Sequence, residues 1–167
     1  MTETHWQTTT TSVAATTALG STLGALLGPT DLILLSGGLG AGKTHLTKGI
    51  VAGLGSTDSV TSPTYVFINE YHYPPRGTIF HVDLYRAEHP SELASIGLDD
   101  ALAGHGPCVI EWPVRDPSLA ALPHLAVTLE PIADAPGSRR CRFVAHGERA
   151  EALLSALSSQ RAPEEHA

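Results

Sequence analysis

Gly37-Gly38-Leu39-Gly40-Ala41-Gly42-Lys43-Thr44 follows the pattern G-x-x-x-x-G-K-[ST]. Each position has a chemical reason. Glycines let backbone N–H groups turn inward around phosphate oxygens with no Cβ in the way. A helix that starts at the end of the run aims its partial positive charge at the same point. The Lys43 ammonium can reach the outer phosphates, and the Thr44 hydroxyl can ligate Mg2+. The expected ligands are ATP and Mg2+. The expected nucleotide contacts are Gly38, Leu39, Gly40, Ala41, Gly42, Lys43 and Thr44. The bland alternative is a glycine turn joining a strand to a helix. Against it, one of only two lysines in the chain, Lys43 and Lys48, fills the required slot.

Such a loop needs an acid beside it to hold the metal or orient water, and a neighbouring buried strand usually ends in that acid. Two candidates qualify. Asp83 closes Ile79-Phe80-His81-Val82-Asp83, and Glu111 closes Cys108-Val109-Ile110-Glu111. With Lys43 they form the candidate catalytic set. Taken singly, each is also readable as a strand-end carboxylate meeting solvent. Downstream of the Lys43 helix lies Thr61-Ser62-Pro63-Thr64, where a hydroxyl can sense a γ-phosphate. Trp112 directly follows Glu111, although a lone tryptophan is more often core. Arg139, Arg140 and Arg142 form a small basic cluster, with Arg140 and Arg142 on one face of a strand. Surface solubility is its bland reading.

These residues need a scaffold that brings them together. Ser12 is placed to cap a helix through about Leu27, with Leu19, Leu23, Leu26 and Leu27 on its apolar face. Gly28-Pro29 ends it. Residues 31–36 form a short apolar run, the mark of a buried strand. Helix 43–54 follows the glycine loop, with Gly53 and Gly55 read as stops. Strands are expected at 65–71, 78–83, 107–112, 125–130 and 139–145. One or two short helices are expected within 90–104, and a last helix at 148–159. The fold class is α/β: one P-loop NTPase domain, residues 12–160, with a central mixed, mainly parallel sheet and helices on both faces. Residues 1–11 read as a flexible arm and 161–167 as a flexible tail.

Composition narrows the functions. A chain of 167 residues fits one domain with its own core. No apolar run reaches membrane-spanning length and Thr-rich residues 1–11 are no secretory signal, so the expected location is cytoplasmic and no membrane partner is expected. Cys108 and Cys141 sit in apolar segments and read as buried free thiols rather than metal ligands. A formal charge of −7 makes a poor stand-alone nucleic-acid binder.

Several motifs then line up in order. Leu35–Thr44, Ser62-Pro63-Thr64-Tyr65, His81-Val82-Asp83-Leu84-Tyr85-Arg86 and Glu111-Trp112 together resemble the TsaE family, also called YjeE. Thr16 and Leu19-Gly20 are similar to that family's opening helix. The likeness covers about residues 12–145. Ala14 and Ala15 stand where acidic residues are common in the family, and Pro113-Val114-Arg115 replaces a frequent Pro-Glu. The resemblance implies an ATPase supporting threonylcarbamoyladenosine synthesis in tRNA. It would act with the TsaB and TsaD proteins and meet tRNA only through that complex. It implies Thr44 and Glu111 as Mg2+ ligands and Asp83 as needed for hydrolysis. Thr16 falls at the base end of the nucleotide and Trp112 at a position linked to function. Residues 61–64, Thr64 included, fall in the nucleotide-responsive loop.

The alternative on the same scaffold is a small-molecule P-loop kinase. A kinase usually carries an arginine-rich lid, and Arg76 and Arg86 stand singly in the sequence. A non-enzymatic nucleotide-binding module follows only if both acids are structural. A GTPase reading is weaker still, because Lys48, the only lysine outside the loop, is followed by Gly49-Ile50 and not by the guanine-reading x-Asp element.

Overall fold

The computed structural model describes residues 4–63 and 67–160. It is a mixed α/β fold around one seven-stranded sheet. Along the chain the strands are β1 His5–Thr10, β2 Leu32–Ser36, β3 Ile68–Tyr73, β4 Gly77–Asp83, β5 Cys108–Glu111, β6 His124–Pro131 and β7 Arg139–His146. The helices are α1 Val13–Gly24, α2 Lys43–Gly53, α3 Pro90–Ser95, α4 Leu98–Ala101 and α5 Glu148–Gln160. The spatial order of strands is β1-β7-β6-β2-β5-β4-β3.

Side-chain alternation along the strands separates two cores. Ile33, Leu35, Val109, Val127 and Phe143 face α1, α2 and α5, meeting Leu19, Leu23, Leu46, Ile50 and Leu154. Leu32, Leu34, Val82, Cys108 and Ile110 face the other way and meet Leu93, Leu98 and Leu119. Helices therefore cover both faces, as the apolar strand runs imply. The expectation of a mainly parallel sheet needs correction. β2–β5, β2–β6 and β4–β5 are parallel. β1–β7, β3–β4 and β6–β7 are antiparallel. Short hairpin connections between β3 and β4 and between β6 and β7 require the antiparallel pairings.

The N-terminal segment is a second correction. Residues 5–10 do not form a flexible arm; they are strand β1, paired with β7 from His5↔Val144 to Thr10↔Arg139. β-branched threonines suit a strand. Trp6 anchors it, with its ring centroid 5.2 Å from that of Phe143. The expected strand 65–71 begins later, at Ile68, because Phe67 takes a left-handed conformation (φ 63°) that no strand continues through. Residues 64–66 and 161–167 lie outside the described residues, and with them the expected tail. Both cysteines are buried and neither is in a disulfide, and burial pushes the Cys108 thiol up to about 12. Among the described residues no helix is long and apolar enough to cross a membrane.

Ser12 caps α1 by accepting from the Ala15 N–H. α1 and α2 then pack backbone to backbone. A Cβ at Gly20 or Gly24 would collide with the Leu46 or Ile50 carbonyl, and one at Gly49 or Gly53 with the Thr17 or Ser21 carbonyl. Gly53 is thus a contact residue as well as the last of its helix. The pairing order shows that the two helices run in the same direction. The start of α1, with Thr16, stands at the same end as Lys43.

Candidate functional site

The site forms at the carboxyl ends of the parallel strands β2, β5 and β4, where open α/β sheets gather their ligand groups. β2 is the central strand, and the chain leaves it into the glycine loop and then α2. Gly37, Gly40 and Gly42 have φ of 156°, 76° and 102°. The last two are left-handed positions that favour glycine. The loop tip is exposed at Gly38, Leu39 and Gly40, and Ala41 is buried beneath it. Gly42 takes the N-cap position of α2 with no side-chain cap, which leaves the first amides of the helix to a ligand.

Lys43 is buried to 7% exposure. Its Nζ donates to the carbonyls of Gly37 at 2.6 Å and Gly38 at 2.9 Å, so the side chain folds back across its own loop. The same ammonium lies 4.6 Å from the centroid of the Trp112 ring, a cation–π distance. Burial lowers the Lys43 pKa, while the nearby Glu111 and Asp83 carboxylates raise it. The cation and both acids therefore share one electrostatic neighbourhood.

Register explains how the two acids meet. Asp83 and Glu111 end adjacent parallel strands and are direct partners. Asp83 accepts from the Tyr85 N–H at 2.9 Å and from the Ser62 hydroxyl at 3.3 Å. Burial pushes its carboxyl above the ordinary carboxylate range. The Tyr85 N–H pulls the other way, and the Glu111 charge adds to the rise. Glu111 accepts from Nε2 of His81 at 2.8 Å.

Trp112 is half-buried; it packs against the second core and also reaches the site. Its backbone is left-handed (φ 59°, ψ 49°) directly before Pro113. For an aromatic residue that is an uncommon and strained conformation. It breaks β5 after Glu111 and lays the indole beside Lys43. Tyr85 backs the indole at 4.9 Å between centroids. Thr16 is buried near this end of α1, its hydroxyl 2.7 Å from that of Thr10. Ser62 reaches the site through Asp83, while Thr64 lies outside the described residues. Lys43, Asp83, Glu111 and Trp112 thus come together, with Thr44 beside Lys43 on the first turn of α2.

Three contributors were not read from the sequence as site residues. His81 sits two positions before Asp83, so strand alternation places both on one face; that signal was present in the sequence. Tyr85 supports Trp112. Arg139 belongs to a cluster that reads as surface, yet its Nε donates to the Ala41 carbonyl at 2.8 Å and a terminal nitrogen to the Gly40 carbonyl at 3.2 Å. Its neighbours Arg140 and Arg142 keep to the surface, each near Glu130 at 3.7 and 3.6 Å. A separate cavity of about 340 Å³, lined by Thr30, Leu32, Leu125 and Leu153, opens at the opposite end of the sheet. It takes no part in this arrangement.

Chemically, a glycine loop with open helix amides, a lysine, a hydroxyl and two carboxylates can hold a polyphosphate with a hard cation. Oxygen donors of this kind suit Mg2+. The family model described as "Threonylcarbamoyl adenosine biosynthesis protein TsaE" matches residues 10–141. A Bacillus subtilis protein named tRNA threonylcarbamoyladenosine biosynthesis protein TsaE is 37% identical over 143 residues, covering 86% of this chain and 87% of the relative. A Mycobacterium leprae protein of the same name is 43% identical, with 71% and 78% covered. A crystal structure of Bacillus YdiB superposes with a TM-score of 0.78 at 30% identity, over 96% of this chain and 97% of that one.

Proposed function

The chain belongs to the TsaE family, and from that premise we propose that it is a Mg2+-dependent P-loop ATPase that supports threonylcarbamoyladenosine formation in tRNA as an accessory to a TsaB–TsaD complex. The observation that carries the ATPase reading is the meeting of Lys43, Asp83 and Glu111 beside the glycine loop and the open start of α2. The donor set fits Mg-ATP. Loop amides and Lys43 bind the phosphates, and Thr44 and Glu111 hold the metal. When bound, Mg2+ would neutralise phosphate charge and polarise the transferring group. Asp83, an acceptor-only group when ionised, positions the attacking water. Lys43 must leave the Gly37 and Gly38 carbonyls to reach a phosphate, so nucleotide binding replaces two internal hydrogen bonds by charge-assisted ones. Trp112 moves with that exchange, and its fluorescence should report it.

An acidic chain with two lysines is not equipped to hold tRNA alone, which favours a protein complex as its target and a cytoplasmic setting. The test is binding to a TsaB–TsaD complex in ATP against ADP, with hydrolysis measured in parallel. Tighter binding in ATP and faster hydrolysis in the complex are expected, since only differential affinity couples nucleotide state to assembly. Indifference to those proteins, with brisk turnover on a small phosphate acceptor, would replace this reading by the kinase.

Arg139 provides a second prediction. Its fork holds two successive loop carbonyls outward, and that keeps the following amides turned toward the phosphates. Arg139→Ala should weaken ATP and ADP about tenfold alike, the scale of hydrogen bonds from a charged group. Arg139→Lys should not restore them, because an ammonium lacks the planar fork. Calorimetric titration checks this; unchanged affinity for both nucleotides would remove Arg139 from the site.

A further inference from the structure

We propose that His81 is a positioning residue for Glu111, a buried imidazole that fixes the carboxylate in the orientation from which it serves the metal. This rests on the Mg-ATP reading above and adds to it a residue that touches neither nucleotide nor metal.

The geometry starts from the sheet. His81 and Asp83 lie two apart on β4 and share a face. Glu111 is the direct partner of Asp83 on β5, so His81 is its diagonal neighbour. His81 is fully buried at 0% exposure, and the Glu111 side chain is 4% exposed. The 2.8 Å bond runs from Nε2 to Oε2. Nδ1 is buried and finds no partner among the described residues. A proton there would be an unsatisfied buried donor, so the ring proton belongs on Nε2, facing Glu111.

The ring is itself held. Tyr71 packs on it with centroids 6.1 Å apart. The Tyr71 hydroxyl donates to the Thr61 carbonyl at 3.0 Å and accepts from the Thr61 N–H at 3.2 Å. The carboxylate is thus tied through two packed rings to the segment that precedes Ser62.

Glutamate has three side-chain torsions. Unpinned at a strand end, it would have to be ordered when the metal arrives, and that cost would reduce affinity. The His81 bond orders it beforehand. Oε2 is committed to the ring, which leaves Oε1 for the metal or its water. Partners in this outer position tune metal affinity strongly. A purely structural His81 would leave Mg2+ binding alone once the fold is intact.

The experiment is calorimetric titration of the full chain with ATP, with and without Mg2+, for the wild type, His81→Phe and His81→Gln. Phenylalanine keeps the ring and removes the donor. Glutamine places an amide donor near the Nε2 position. In His81→Phe the Mg2+-dependent gain in ATP affinity should fall by about 10- to 100-fold, with Mg2+-free binding unchanged. His81→Gln should recover most of the gain. A wild-type gain in folded His81→Phe, or equal losses in both variants, overturns the proposal. If His81→Phe does not fold, the imidazole 15N spectrum of the wild type decides. An exchange-protected Nε2–H resonance that shifts with Mg2+ and ATP together, and not with ATP alone, supports the proposal; its absence or indifference overturns it. A wild type with no Mg2+-dependent gain would overturn the ATPase reading itself, a different result from either failure of His81.

Discussion

Gly49→Ala is expected to destabilise the protein by about 3 kcal/mol, the upper end of overpacking costs. In an isolated helix the same change should stabilise by about 1 kcal/mol, because alanine is the better helix former. The sign reverses because of what the new methyl meets. At Gly49 it would be driven into the Thr17 carbonyl of α1 and crowd the Ser21 N–H. These are backbone atoms, and no rotamer change relieves them. α1 and α2 would have to move apart, loosening Leu19, Leu23, Leu46 and Ile50 together. For a chain of this length the loss corresponds to a fall of roughly 6–12 °C in Tm. Gly38→Ala is the control, since a Cβ there meets nothing within 4 Å. Without nucleotide it should stay within about 0.5 kcal/mol of the wild type. Thermal and urea unfolding read both. Equal stability of Gly49→Ala and the wild type would show that the helices are not in backbone contact. The consequence reaches the site, because α2 carries Lys43 and Thr44 and α1 carries Thr16.

The same helix pair shows what a sequence can and cannot disclose. The glycine loop and the helix start behind it were legible because they are local: eight consecutive residues state both the turn and the cation. Asp83 and Glu111 were legible because each ends an apolar run, and parallel pairing then puts strand ends side by side. The glycines of α1 and α2 were not, since a small residue inside a helix reads the same whether it ends the helix or admits a neighbour. β1 was not legible either. Its threonines carry no apolar alternation, and the partner that makes it a strand, β7, lies more than a hundred residues away. Arg139 was missed for a related reason: its acceptors are carbonyls of the loop, and no side-chain pattern announces a carbonyl. Trp112 required the backbone: the residue after Glu111 is left-handed, and its indole lies beside Lys43 while still packing against the second core.

Asp83→Asn is expected to retain ATP binding and to lower hydrolysis in the presence of the partner complex by about 100- to 10,000-fold, the range for losing a positioned acid–base group. Asparagine keeps an oxygen for the Tyr85 N–H but loses the charge that orients and polarises water. The same substitution should make the ligand-free protein more stable at neutral pH. The Asp83 pKa is raised above its ordinary 3.8, mainly by burial. The folded state therefore holds that proton more tightly than the unfolded state does. This contribution to stability is fully present below 3.8 and is lost as pH rises through the raised folded value. Above that window the wild type folds around a charge it would rather shed, whereas the Asp83→Asn variant carries a neutral amide there. The difference in Tm between variant and wild type should thus be near zero in acid, open as pH rises through the window, and stay open at neutral pH. Adding Mg2+ and ATP should narrow it, because a cation held by Glu111, the direct strand partner of Asp83, would offset the cost of the Asp83 charge. Unfolding curves across pH, with and without nucleotide, test the whole sequence. A variant that is less stable than the wild type at neutral pH would show that Asp83 braces the fold through Ser62 and Tyr85, and would remove the reason to read its burial as preparation for catalysis.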